Sequence, residues 1–263
     1  MTKFCANLSL LFTEHPWPER FQAAARAQFS AVEIQFPYLI TANALTQLLR
    51  DNRQQLVLLN MPAGDWEQGE RGIACLPDRE QEFKQGVELA LEYAMASNCP
   101  QINCLSGICP PELPRTEALT LMAERIQHAA KRLDRYGIQL NIEPINSYDI
   151  PGFLLHHSAT VIDMIKANNC DNIRLQYDIY HMQRMESPLL PRLAKLLPYI
   201  GHIQIADHPG RHEPGTGEID YPTLFNALDS LGYTGWIGLE YNPKTTTQAG
   251  LSWLYMTPDG AMR

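Results

Sequence analysis

The residues with the plainest chemical potential are acids set into apolar runs. Glu143 stands in "QLNIEPIN" (139–146), Asp178 in "IRLQYDI" (173–179) and Glu240 in "WIGLEY" (236–241), while Gln204 takes the matching place in "GHIQIAD" (201–207). Leu140 and Ile142 alternate with Asn141 and Glu143, and Leu175, Tyr177 and Ile179 with Gln176 and Asp178. Ile203 and Ile205 alternate with His202 and Gln204, and Ile237 and Leu239 with Gly238 and Glu240. A strand turns successive side chains to opposite faces, so each run presents one apolar and one polar face. Three carboxylates gathered in an apolar setting repel one another and resist desolvation; some must be protonated, or a cation must sit among them. Two Glu, one Asp and an amide oxygen form a set suited to a hard divalent ion, Mg²⁺ or Mn²⁺, rather than to a thiolate-seeking metal. Ion pairing to loop Arg or Lys is the competing explanation. Agreement of four segments in parity and position favours the metal.

Elements that hold such residues together are legible in the wider pattern. Short β-rich runs recur at 4–10, 31–36, 56–61, 101–106, 139–144, 173–179, 201–207 and 236–241. Helical patterns with apolar residues at i, i+3 and i+4 lie between them, at 79–97, 116–137, 157–168 and 221–232. Each parallel strand needs a crossover helix, and eight such units predict one closed (β/α)8 barrel, an α/β fold, spanning 1–263 as a single domain. An open doubly wound sheet is disfavoured because no GxGxxG follows the first strand. If the apolar strand faces pack on the helices, the polar faces line the barrel interior, Asn7, Ser9, Glu33 and Gln35 included. Glu143, Asp178, Gln204 and Glu240 are then the last or nearly last inward residues of strands five to eight. They meet at the C-terminal mouth, where barrel enzymes keep their sites.

The net charge of −8 sets the surface against phosphate backbones, which argues against a nucleic-acid partner. Six scattered cysteines, without a CxxC pair, indicate reduced thiols rather than a zinc ribbon or redox motif. No apolar run reaches the roughly 18 residues of a membrane span, and the first residues lack a signal-peptide pattern; a cytoplasmic protein with no membrane partner is expected. Oligomeric state is left open, a homo-oligomer included. The aromatic stretch "GLSWLYMTPDG" (250–260) reads as a cap on the barrel or a partner contact.

Several segments carry a family resemblance: "GDWEQGERGIACLP" (64–77), "NIEPIN" (141–146), "QYDIYHMQ" (176–183), "GHIQIADHPGRHEPGTGEIDY" (201–221) and "GWIGLEYNP" (235–243). Together they resemble the hydroxypyruvate isomerase family, among the xylose-isomerase-like barrels that also include ketose 3-epimerases, and within it the bacterial branch with 2-oxo-tetronate isomerase. The resemblance spans nearly the whole chain. It implies a divalent metal held by Glu143, Asp178, Gln204 and Glu240, with the two glutamates doubling as acid and base. Gln204 departs from the histidine common at that position in the sugar epimerases.

The implied reaction interconverts a small oxo/hydroxy acid, hydroxypyruvate or 2-oxo-tetronate, by moving a proton between adjacent carbons through an enediolate. Such chemistry needs a positioned base and stabilisation of developing charge. Glu143 and Glu240 are expected to flank the substrate. His181, three residues after Asp178 in the loop after strand six, is expected to hydrogen-bond a substrate hydroxyl or orient a ligand; a solvated loop histidine is the alternative. Arg71 and Arg211, on loops after strands three and seven, offer the bidentate fork that a carboxylate takes, with Lys244 a third candidate. Taken singly, each arginine reads as readily as a loop-locking side chain. His202 is expected one layer below Gln204. The glycines of "PGTGEID" permit a tight loop and lack the lysine-serine pair of a phosphate cradle. Rival functions are a ketose 3-epimerase or other sugar isomerase, an apurinic-site endonuclease, and a non-catalytic binding barrel.

Overall fold

A computed structural model describes residues 2–255. Eight parallel strands close a barrel in sequence order: β1 (Lys3–Asn7), β2 (Ala31–Ile34), β3 (Gln55–Asn60), β4 (Gln101–Cys104), β5 (Gln139–Ile142), β6 (Ile173–Asp178), β7 (Ile200–Ile205) and β8 (Trp236–Leu239). Closure is made by β8 against β1, where Phe4 pairs with Ile237 and Ala6 with Leu239. Crossovers are α1 (Trp17–Arg26), α2 (Ala42–Asp51), α3 (Glu80–Ser97), α4 (Arg115–Asp134), α5 (Ser158–Ala167), α6 (Ile179–Glu186), α7 (Leu189–Leu196) and α8 (Tyr221–Ser230); a short α9 (Thr247–Gly250) follows β8. Local signals place the helix ends. The Thr41 hydroxyl accepts from Ala44 N to start α2, the Asp220 carboxylate from Thr223 N to start α8, and Asn98 in the left-handed region (φ 53°) stops α3.

The expected division of strand faces holds. Leu140, Ile142, Leu175, Tyr177, Ile203, Ile205, Ile237 and Leu239 are all fully buried in the main core, between sheet and helices. Burying each such side chain contributes about 1.5–3 kcal/mol. The opposite faces fill the barrel interior with a hydrogen-bonded polar layer instead of the usual branched apolar residues. Four cysteines, Cys5, Cys75, Cys99 and Cys104, are buried, Cys109 and Cys170 are partly so, and all six are free thiols. Trp253 packs edge-on against Phe4 at 5.3 Å and stacks near Phe225, so this part of the 250–260 stretch covers the barrel. Residues 256–260 lie outside the described residues.

Two expectations need correction. Strands five and eight end at Ile142 and Leu239, so Glu143 and Glu240 are the first residues beyond the sheet. The chain after β6 is no loop: α6 begins at the next residue and places His181 in its first turn. The carboxylate of Asp178 causes this, because its Oδ1 accepts from Tyr180 N at 2.7 Å and caps the helix.

Candidate active site

A cavity of about 480 Å³ opens at the C-terminal mouth, with Glu143, Glu240, His181, Arg71 and Arg211 in its wall. Asp178 and Gln204 are register partners on β6 and β7 and are buried behind it. All seven expected residues therefore gather at one end of the barrel. Lys244 is not in the cavity wall; its amide donates to Glu213.

The acids lie in a strongly desolvated cluster. Burial pushes the Glu143 carboxyl well above its ordinary value, and the charges of Glu240 and Asp178 add to it. Burial likewise raises Asp178, against the opposing charge of Arg211. Glu240 is pushed up to about 8, first by burial, with Arg211 opposing and Asp178 adding. Arg211 is the one correction to the picture of unpaired acids: its Nη2 lies 3.1 Å from Glu240 Oε1 and 3.8 Å from Asp178 Oδ2. Even so, Asp178 Oδ2 is buried with no hydrogen-bond partner. An orphaned carboxylate oxygen, three acids resisting ionisation and a single nearby guanidinium form a set short of positive charge, and the residues fit a divalent cation. The carboxylates of Glu143 and Asp178 and an imidazole nitrogen of His181 lie within 4.8 Å of one another. Gln204 Oε1 accepts from Gln176 Nε2 at 2.6 Å and its Nε2 donates to Glu33 at 2.8 Å, which leaves Oε1 a second lone pair for a cation.

His181 is oriented from behind by Asn146. The Asn146 Oδ1 accepts from the amides of Tyr148 and Asp149, so its Nδ2 must face His181 Nδ1, 2.7 Å away. Burial, then the charges of Arg211 and Arg184, holds the imidazole well below its usual pKa. A neutral ring that accepts at Nδ1 carries its proton on Nε2. That N–H points toward Glu143 Oε1 at 3.8 Å and Asp178 Oδ2 at 3.6 Å. In this tautomer His181 presents Nε2–H to the cavity; the same nitrogen is the one that groups with the Glu143 and Asp178 carboxylates.

The two arginines are held differently. Arg211 has a left-handed backbone (φ 56°), and its loop is anchored by the buried Asp207, whose carboxylate accepts from the amides of His208, Gly215, Gly217 and Ile219. A Cβ at Gly217 would lie 2.2 Å from His208 O, which explains glycine there and confirms a tight loop. Arg71 stacks 4.0 Å over Trp66 and donates to the carbonyls of Trp66 and Glu70. Among the described residues it has no carboxylate partner, unlike Arg211. His202 lies below Gln204 and meets Glu33 Oε2 at 2.6 Å.

Asn146, Asn103 and Trp66 are site residues that pattern reasoning did not single out. Asn103 has the inward parity of "QINCLS" and meets Glu143 Oε2 at 3.0 Å. The other two stand inside "NIEPIN" and "GDWEQG", with no local signal of their contacts.

Fold and mouth together define a xylose isomerase-like TIM barrel, and that family matches residues 21–256. Hydroxypyruvate isomerase of Escherichia coli (strain K12) is 46% identical over 254 residues, covering 97% of this chain and 98% of the relative. The 2-oxo-tetronate isomerase of Cupriavidus necator is 41% identical, also over 97% and 98%. A crystal structure described as AP endonuclease, family 2, from Brucella melitensis superposes with a TM-score of 0.94 at 42% identity, over 97% of this chain and 98% of that one. The chain belongs to the hydroxypyruvate isomerase family and is an isomerase.

Proposed function

We propose that the protein isomerises a small 2-oxo acid, hydroxypyruvate to tartronate semialdehyde or 2-oxo-tetronate to 3-oxo-tetronate, by proton transfer through an enediolate. The observation that carries this reading is the pairing, in one cavity, of two glutamates with raised pKa values and an arginine that has no carboxylate partner among the described residues. Both names borne by the relatives above, hydroxypyruvate isomerase and 2-oxo-tetronate isomerase, support it.

Arg71 takes the substrate carboxylate in its guanidinium fork, held flat by Trp66. One glutamate removes the proton from the hydroxyl-bearing carbon and the other delivers a proton to the former carbonyl carbon; the hydroxyl proton passes to the new hydroxyl oxygen. In the metal-free protein two carboxyls in one dry site titrate as a pair, one protonated while its partner is ionised. His181 donates from Nε2 to a substrate oxygen. Glu143, Asp178, Gln204 and Glu240 would hold Mg²⁺ or Mn²⁺, which supplies positive charge to stabilise the developing oxyanion.

A ketose 3-epimerase would use the same glutamates without a carboxylate-binding arginine. An apurinic endonuclease, the description carried by the Brucella structure, needs a cationic groove, and a net charge of −8 opposes that. Initial rates on hydroxypyruvate, 2-oxo-tetronate and neutral ketoses, with and without Mn²⁺, test the proposal. Metal-dependent turnover of the oxo acids is expected; activity on neutral ketoses alone, or cleavage of abasic DNA, overturns it.

A further inference from the structure

Glu33 has no part in the chemistry above, yet four donors converge on its buried carboxylate. Asn7 Nδ2 and Gln204 Nε2 reach Oε1 at 2.9 and 2.8 Å, and His202 Nε2 and Cys5 Sγ reach Oε2 at 2.6 and 3.6 Å. Room for it is made across the barrel, where a Cβ at Gly238 would lie 2.2 Å from Oε2.

A carboxylate ringed by donors acts only as an acceptor, which decides the direction of the amide facing it. Gln204 must turn its NH₂ to Glu33, so its Oε1 faces Gln176 and accepts from Nε2 at 2.6 Å. The same Gln176 Nε2 donates to Glu143 Oε2 at 3.1 Å, where Asn103 Nδ2 also arrives at 3.0 Å. Reversing either glutamine would set acceptor against acceptor. The far oxygens of Gln176 and Asn103 are buried without partners, so these amides are aligned by what their nitrogens face.

We infer that Glu33 is a positioning residue: through Gln204 and Gln176 it directs a hydrogen-bond relay across four strands that ties down Glu143 Oε2 and leaves Glu143 Oε1 free toward the cavity. This rests on the reading of Glu143 as an acid-base and ligand residue. Chemistry at Glu143 then depends on a carboxylate inside the barrel, behind Gln204, that touches neither substrate nor metal.

The test is a pair of variants and their combination. In Glu33→Gln the neutral carboxamide no longer holds the Gln204 NH₂ by a charge-assisted bond, so Gln204 and then Gln176 are free to reverse and turn an acceptor on Glu143. Expected are a kcat lower by about 10- to 100-fold with little change in KM, and an affinity of the metal-free protein for Mn²⁺, read by calorimetry, weaker by about 10-fold. Gln176→Leu should give falls of similar size, and the double variant should be no worse than about twofold below either single, because both act through one chain. Losses that multiply in the double variant, or a lower melting temperature with kcat and Mn²⁺ affinity unmoved, overturn the relay. If Glu33→Gln does not fold, unchanged kcat and Mn²⁺ affinity in Gln176→Leu overturn it as well. A wild type inactive on oxo acids instead sinks the substrate reading, and the Mn²⁺ measurements still decide the relay.

Discussion

Asn146 Nδ2 lies 2.7 Å from His181 Nδ1, and this contact favours the tautomer that turns a protonated Nε2 to the cavity at the barrel mouth. Replacing Asn146 by Leu frees the ring to move its proton to Nδ1 and removes the acceptor for two loop amides. A kcat lower by about 10-fold and a stability loss of about 1–3 kcal/mol are expected, read by steady-state kinetics and urea melts. His181→Phe should lose at least as much kcat. An Asn146→Leu enzyme with unchanged kcat would mean that the tautomer does not matter.

The arginines separate by partner. Arg211 already faces Glu240 and Asp178, whereas Arg71 rests on an aromatic face and two carbonyls. Loss of a charge-assisted hydrogen bond costs about 1.5–3 kcal/mol, so Arg71→Ala should raise KM for hydroxypyruvate by about 10- to 100-fold. An unaltered KM would transfer the carboxylate to Arg211.

Glu240 makes the metal-free protein sensitive to pH in a defined direction. Its pKa rises from 4.5 to about 8 on folding, chiefly by burial, so its contribution is fully present below the unfolded value and is lost as pH rises through about 8. His181 shifts the opposite way, and its effect is confined to pH below its ordinary 6.5. Above that, the comparison with Glu240→Gln reads the coupled titration of Glu240 and Glu143. Between about pH 6.5 and 8.5 the metal-stripped wild type should lose about 2 kcal/mol relative to Glu240→Gln, measured by denaturant melts. A constant difference would show that Glu240 ionises normally.

The barrel and the gathering of the mouth residues were legible because period-two alternation is a local property of the chain, and four runs repeated it with the polar residue at the same height. Strand ends were less so: Glu143 and Glu240 continue the alternation after the ladder has stopped. The helix that carries His181 was hidden because its start depends on one oxygen of Asp178 turning to cap it. Arg211 was legible as a mouth residue and loop arginines as partners for the acids; which acids it meets was not, since that depends on a left-handed residue in a loop tied to Asp207. The direction of the amide relay depends on Gln204 meeting Glu33, 171 positions away in sequence.

Proton transfer between carbons by Glu143 and Glu240 is tested most directly by isomerisation of hydroxypyruvate in D₂O, followed by NMR. With two carboxyls exchanging with solvent, the product should carry deuterium at the carbon that gains the proton, and Glu143→Gln and Glu240→Gln should each lose about 10²- to 10⁴-fold in turnover while keeping the fold. Product free of deuterium, or full activity in Glu240→Gln, would contradict it.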